Sequence, residues 1–252
     1  VLLYVETALL IVKNQTFFIT QTPFVKHKNM KKYLLVCWYL LSYTLQAQYT
    51  WEQLKQQAVE AYKAGNYKDA AQTYEQALKK AEVDFGKLDE RYTQTNYALA
   101  FLYSVRLQEF NKAEKLYQEG KAIAEKKFGK ESREYALMCN KLAIDVYYPL
   151  KQYDKAEPLL LEVKNIQGRL LGTQHPEYAM AVFSLGTAFY EQRKFQEAET
   201  LFLSAKNIFE KAFGKKHPEH LLTCSYLIAI YEQQNRKALA DLLKKEVEEI
   251  NK

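Results

Sequence analysis

From about residue 50 onward, one alternation of apolar and polar positions returns again and again. Phe195-Gln196-Glu197-Ala198-Glu199 is followed at helical spacing by Leu201, Phe202, Ala205, Ile208, Phe209 and Phe213, and Gly214 closes the run. An apolar stripe of that period predicts an amphipathic helix. Tyr153-Asp154-Lys155-Ala156-Glu157 closed by Gly172 repeats it, as do Phe110-Asn111-Lys112-Ala113-Glu114 closed by Gly129 and Tyr67-Lys68-Asp69-Ala70-Ala71 closed by Gly86. The alanines at 70, 113, 156 and 198 step by 43, 43 and 42 residues, and so do the glycines. Two independent markers on one period define an internal repeat.

The unit predicted is a pair of antiparallel helices. The turn aromatic opens the second helix, and the alanine three positions on marks a close approach of two backbones. A bulkier residue there would overpack at a cost of about 1–3 kcal/mol. The closing glycine suits a helix C-cap in the left-handed conformation. First helices are expected near Trp51–Ala64 and from starts at Asp89, Ser132, His175 and His217. Asp89 and Ser132 suit N-caps, and Pro176 and Pro218 suit a first turn whose N–H groups have no helical partner. Repeats two and three should carry their extra residue in the turn between helices, with Pro149 ending a helix. The fifth unit lacks the turn aromatic. Its last helix keeps a single apolar stripe (Leu239, Leu242, Leu243, Val247, Ile250), as a capping helix at the finished end of an array needs.

These markers resemble the tetratricopeptide repeat, in the longer form of about 42 residues found in kinesin light chains and many bacterial proteins. The run from His175 to Gly214 covers one whole repeat, and His217 to Tyr231 begins the next. The resemblance spans residues 48–252, with repeats at about 50–86, 88–129, 131–172, 174–214 and 216–252. It implies an all-α, right-handed superhelical solenoid of about five helix-turn-helix repeats that binds a protein or peptide in a concave groove lined by first helices. Aligning on Leu99-Ala100, Leu142-Ala143, Leu185-Gly186 and Leu227-Ile228 places Tyr97, Asn140, Phe183 and Ser225 at the groove position two before the leucine. Ser104, Tyr147, Tyr190 and Glu232 fall five after it. Kinesin-light-chain-like repeats carry an asparagine pair before the leucine. Only Asn140 matches, with Lys141 beside it, so an aromatic groove replaces the asparagine ladder.

Composition changes the picture only at the N-terminus. The chain has 252 residues, and its 8 glycines and 5 prolines suit a nearly all-helical protein. Residues 1–47 hold five lysines and one glutamate, so they supply +4 of the net charge of +6. The near-neutral repeat region gives no argument for nucleic acid. Met30-Lys31-Lys32, an apolar run from Tyr33 to Leu45 and Ala47 have the three parts of a signal peptide at 30–47. Residues 1–29 are then an extension ahead of the true start or a disordered leader, and the mature protein is expected to be exported to the periplasm or outside the cell. The alternative is a membrane anchor through an uncleaved 33–45.

Other chemistries have weak footing. Cys139 and Cys224 occupy the register that holds Val182 in repeat four, which makes them buried free thiols. A disulfide between them would have to jump a whole repeat, beyond the Cα separation of about 7 Å that a disulfide tolerates. His217 and His220 stand three apart without further ligands, so no metal or other cofactor is expected. No glycine-rich phosphate loop is present. The leading expectation is a non-enzymatic exported scaffold. A sensing module of a split or truncated signalling or caspase-like protease system comes second, and a cysteine hydrolase a distant third.

Overall fold

A computed structural model describes residues 49–250. The readings of 1–29 as an extension and of 30–47 as a signal peptide lie outside them. Among the described residues ten α-helices follow one another: α1 Trp51–Lys63, α2 Tyr67–Phe85, α3 Glu90–Phe101, α4 Phe110–Phe128, α5 Arg133–Lys141, α6 Tyr153–Leu171, α7 Pro176–Glu191, α8 Phe195–Phe213, α9 Pro218–Gln233 and α10 Lys237–Ile250. Helices α3 and α5 each run on into a π-helical turn, Leu102–Leu107 and Leu142–Tyr147. Each helix packs on its neighbours in sequence, so five hairpins stack one on the next.

Local chemistry explains where each hairpin begins. Thr50 forms a capping box with Gln53 at the start of α1. The side chains of Asp89, Ser132 and His175 accept from backbone N–H groups of α3, α5 and α7. Each such cap is worth about 0.5–2 kcal/mol. His217 makes no such bond; its Nδ1 lies 2.5 Å from Glu219 Oε2, an ion pair once the ring is protonated.

The closing glycines differ from expectation in an instructive way. Gly86, Gly129, Gly172 and Gly214 do cap α2, α4, α6 and α8, with φ of 83–85°. Their ψ values of 161°, 165°, 156° and 167° put them in the extended positive-φ region and not in the left-handed helical one. That region is essentially closed to any residue with a Cβ. The left-handed residues sit instead in the turns within hairpins, at Gln108, Lys151, Arg193 and Asn235, with φ of 55–59°. There the strain is small enough for ordinary side chains, so the position varies in sequence while the glycines do not.

The marker alanines Ala70, Ala113, Ala156 and Ala198 are fully buried. Their register continues to Ala240 in α10, also buried. The fifth hairpin therefore keeps the alanine and loses only the aromatic, whose place Lys237 takes. Arg236 next to it lies over the Tyr231 ring at 4.6 Å and pairs with Glu199 at 2.5 Å.

The extra residue of repeats two and three is not in the turn. It is absorbed within the first helix as the π-helical turns, where Tyr148 N–H donates to Ala143 O, five residues back, at 3.0 Å. A single inserted residue in a helix commonly takes this form. The second π segment ends at Tyr147, two residues before Pro149.

Buried side chains form successive clusters along the stack. Trp51, Leu54 and Tyr92 cluster at one end, Leu99, Tyr117, Leu142 and Leu160 in the middle, and Phe202, Leu227 and Leu243 at the other. Polar latches join the hairpins. Tyr103 pairs with Glu75, Tyr147 with Glu114 at 2.8 Å, Lys194 with Glu157 at 2.9 Å, and Arg236 with Glu199. In the last three the acceptor is the glutamate that follows the marker alanine. Burial raises the Glu157 carboxyl, yet hydrogen bonds from Gln192 and Lys194 outweigh it and hold the group below the ordinary glutamate value.

Candidate functional site

The first helices carry the predicted groove residues at one register per repeat, but their surroundings differ. Tyr97 is half-buried and packs edge-on to Tyr117 at 6.2 Å. Asn140 is half-buried on α5. Its neighbour Lys141 reaches Asp145 at 3.5 Å and lies 5.8 Å from the Phe101 ring centroid. Tyr147 is buried, and its hydroxyl donates to Glu114; burial and that carboxylate push its pKa to about 12. Ser225 is exposed and donates back to Leu221 O at 3.1 Å.

Phe183 and Tyr190 belong to one aromatic group. Phe183 lies 5.4 Å from Phe202 and 5.5 Å from Tyr226, and Tyr190 lies 5.3 Å from Tyr226 and 5.7 Å from Phe195. These tilted and edge-on pairs are worth about 0.5–1.5 kcal/mol each. They join hairpins four and five, and each residue stays partly exposed. The structure thus brings Phe183 and Tyr190 together, while Tyr97, Asn140, Lys141 and Tyr147 lie along α3 and α5 and their π-helical turns.

A second row of first-helix residues went unnoticed in the sequence. Leu137, Met180 and Leu222 stand five positions before the core leucines Leu142, Leu185 and Leu227, and they are 44%, 45% and 49% exposed. Single exposed apolar residues are ordinary on a protein surface. Three in one register on three successive first helices form an exposed apolar column. Aligning the repeats and asking which columns stay apolar outside the core would have found it. Gln94 fills the same column in repeat two.

Where α3, α4 and α5 meet, the surface opens into a hollow of about 400 Å³. Tyr97, Ile123, Phe128, Leu137 and Met138 form its apolar walls. It joins one predicted residue, Tyr97, to the first member of the unpredicted row.

The thiols take no part in such a surface. Cys139 and Cys224 are fully buried and free. Burial pushes the Cys139 thiol to about 12, with Glu162 adding to the rise against Lys121, and it pushes Cys224 to about 11. Neither offers a thiolate nucleophile near neutral pH. Among the described residues no three His, Cys, Asp or Glu side chains gather as a metal site requires.

Residues 135–210 match the family model described as tetratricopeptide repeat. No functionally curated protein matches the chain in sequence. Among solved structures, the chain is similar to nearly identical TPR-like repeats of a candidate kinesin light chain from Podosopora anserina, at 22% identity, TM-score 0.67, and coverage of 79% of this chain and 93% of that one. It is similar also to BtubC (BKLC) from P. vanneervenii, at 25% identity and TM-score 0.68, covering 79% of each. A Rap protein complexed with Competence and Sporulation Factor shares the fold at 16% identity and TM-score 0.56, covering 79% of this chain and 53% of that one. Arrays of this kind generally serve as protein–protein interaction scaffolds and are typically not enzymes. The helix-turn-helix stack, its two sequence markers and the family match over residues 135–210 converge on an array of tetratricopeptide repeats.

Proposed function

We propose that the array is an interaction scaffold whose first-helix face holds a segment of a protein partner. The observation that carries this reading is the row Leu137, Met180 and Leu222, apolar and about half exposed at one register. Beside it, the partly exposed rings of Phe183 and Tyr190 add contact area at little rotamer cost. Asn140 and Ser225 supply polar groups for a backbone. The structure of a Rap protein complexed with Competence and Sporulation Factor gives a precedent for a bound factor on this fold.

The same proposal places the scaffold outside the cytoplasm. Its support is the basic start, apolar run and small residue of segment 30–47, read from the sequence. The sensing reading uses the same face and differs only in what a bound partner triggers.

The discriminating substitution is Met180→Glu with Leu222→Glu. Both side chains are exposed, so the folded array should keep its helicity and melting behaviour while a native partner no longer co-purifies. Retention of every co-purifying protein by the double variant would refute the reading. Phe183→Ala with Tyr190→Ala is a poorer test, because both rings also pack on Tyr226.

A further inference from the structure

Resting on the scaffold reading, we propose that the hollow between repeats two and three is the anchor subsite. Its occupant is one bulky aliphatic or aromatic side chain, flanked by lysine or arginine, on an extended segment of the partner.

Shape and surface chemistry argue for the anchor. A volume of about 400 Å³ lies within the range of small-ligand sites. The walls are apolar, and two of them stand half open to solvent: Leu137 at 44% and Phe128 at 52% exposure. Gly120 lies where the other second helices carry Ala77, Val163, Ala205 and Val247. A Cβ on it would come within 2.9 Å of Met138 Sδ, so the thioether lies in the space a side chain would take. A flexible, polarizable methionine makes an adaptable wall, able to repack around an incoming group.

The rim decides the neighbours of that group. Glu90 and Glu134 stand on it against Lys127, and Lys55 reaches its edge at Gln94, 3.2 Å from Oε1. Among the described residues neither carboxylate takes part in a salt bridge, and the Glu90 carboxylate accepts from the side-chain amide of Gln94, at 2.7 Å. Both carboxylates sit in the first turn of a first helix, α3 or α5, so they are fixed to the scaffold and not carried on loops. An anchor flanked by cations would meet this rim favourably, whereas an acidic neighbour would meet two like charges.

The test is a random 12-residue peptide display library panned against the full chain. Enriched peptides are then synthesised with a fluorophore and their binding measured by anisotropy. The proposal expects enriched sequences to share a large apolar residue next to lysine or arginine. Thr93→Trp, which fills the hollow from its rim, should weaken their binding at least tenfold. Glu90→Gln with Glu134→Gln should weaken it several-fold and flatten its salt dependence, and this surface pair keeps the test valid if Thr93→Trp perturbs folding. Peptides that ignore both variants but lose binding in Met180→Glu would overturn the anchor while leaving the scaffold reading intact. So would enrichment of acid-flanked sequences. Failure to enrich any peptide would count against both.

Discussion

At the scale of single residues, two kinds of positive-φ position separate what the repeat must keep from what it can vary. Gly172 has φ 84° and ψ 156°, and a Cβ there would meet nothing within 4 Å. Its requirement is therefore conformational, not steric. Gly172→Ala should destabilise the array by about 1–3 kcal/mol. Gln108, at φ 55° and ψ 29°, is left-handed but tolerable, and Gln108→Gly should be neutral or stabilising by up to about 1 kcal/mol. Urea unfolding of the two variants checks the contrast; equal effects would contradict it. Gly186 is the opposite case, since a Cβ on it would come within 2.9 Å of the Phe202 ring. His220 is fully buried, with no hydrogen-bond partner for Nε2 and its Nδ1 3.3 Å from Lys206 O. Burial outweighs that carbonyl and the nearby Glu210 and Glu246, and it holds the imidazole below its ordinary value of 6.5. The unfolded chain then takes up a proton that the folded chain refuses, so this stability is present above pH 6.5 and is lost as pH falls further. Glu246, held below the ordinary glutamate value, loses its contribution only at lower pH. The urea midpoint should fall between about pH 7.5 and about pH 5.5, and His220→Leu should flatten the fall. An unchanged slope in the variant would show that another group titrates.

Among the elements, what was legible in the sequence and what was not divide on physical lines. The period, the two markers and the pairing of helices follow from burial and capping, which act on side chains in a fixed register. They were readable from Ala70, Ala113, Ala156 and Ala198 and from the four closing glycines. The position of the extra residue in repeats two and three was not. A residue added to a turn and one absorbed in a π-helical turn leave the same spacing between Leu99 or Leu142 and the next aromatic, and only the backbone hydrogen bonds tell them apart. The fifth repeat misled for a different reason: without an aromatic to mark its turn, the register of Ala240 passed unseen. The proposed partner-facing residues were the least legible. Half-buried aromatics such as Phe183 and Tyr190 pack within the array, and no sequence pattern divides packing from the contact proposed for them. The exposed row of Leu137, Met180 and Leu222 was in principle readable, because no packing demand explains an apolar column there.

For the molecule as a whole, stability is spread along neighbouring hairpins, each tied to the next by a buried cluster and a polar latch. Such a scaffold can present an exposed apolar row because its folding does not depend on covering it. The most direct test of that face is site-specific photocrosslinking in native cells. A photoreactive phenylalanine analogue at position 180 is compared with one at position 161, where Leu161 is equally exposed but lies on a second helix. The account predicts a discrete crosslinked partner from 180 and none from 161. Crosslinks of equal yield from both positions, or from 161 alone, would contradict it.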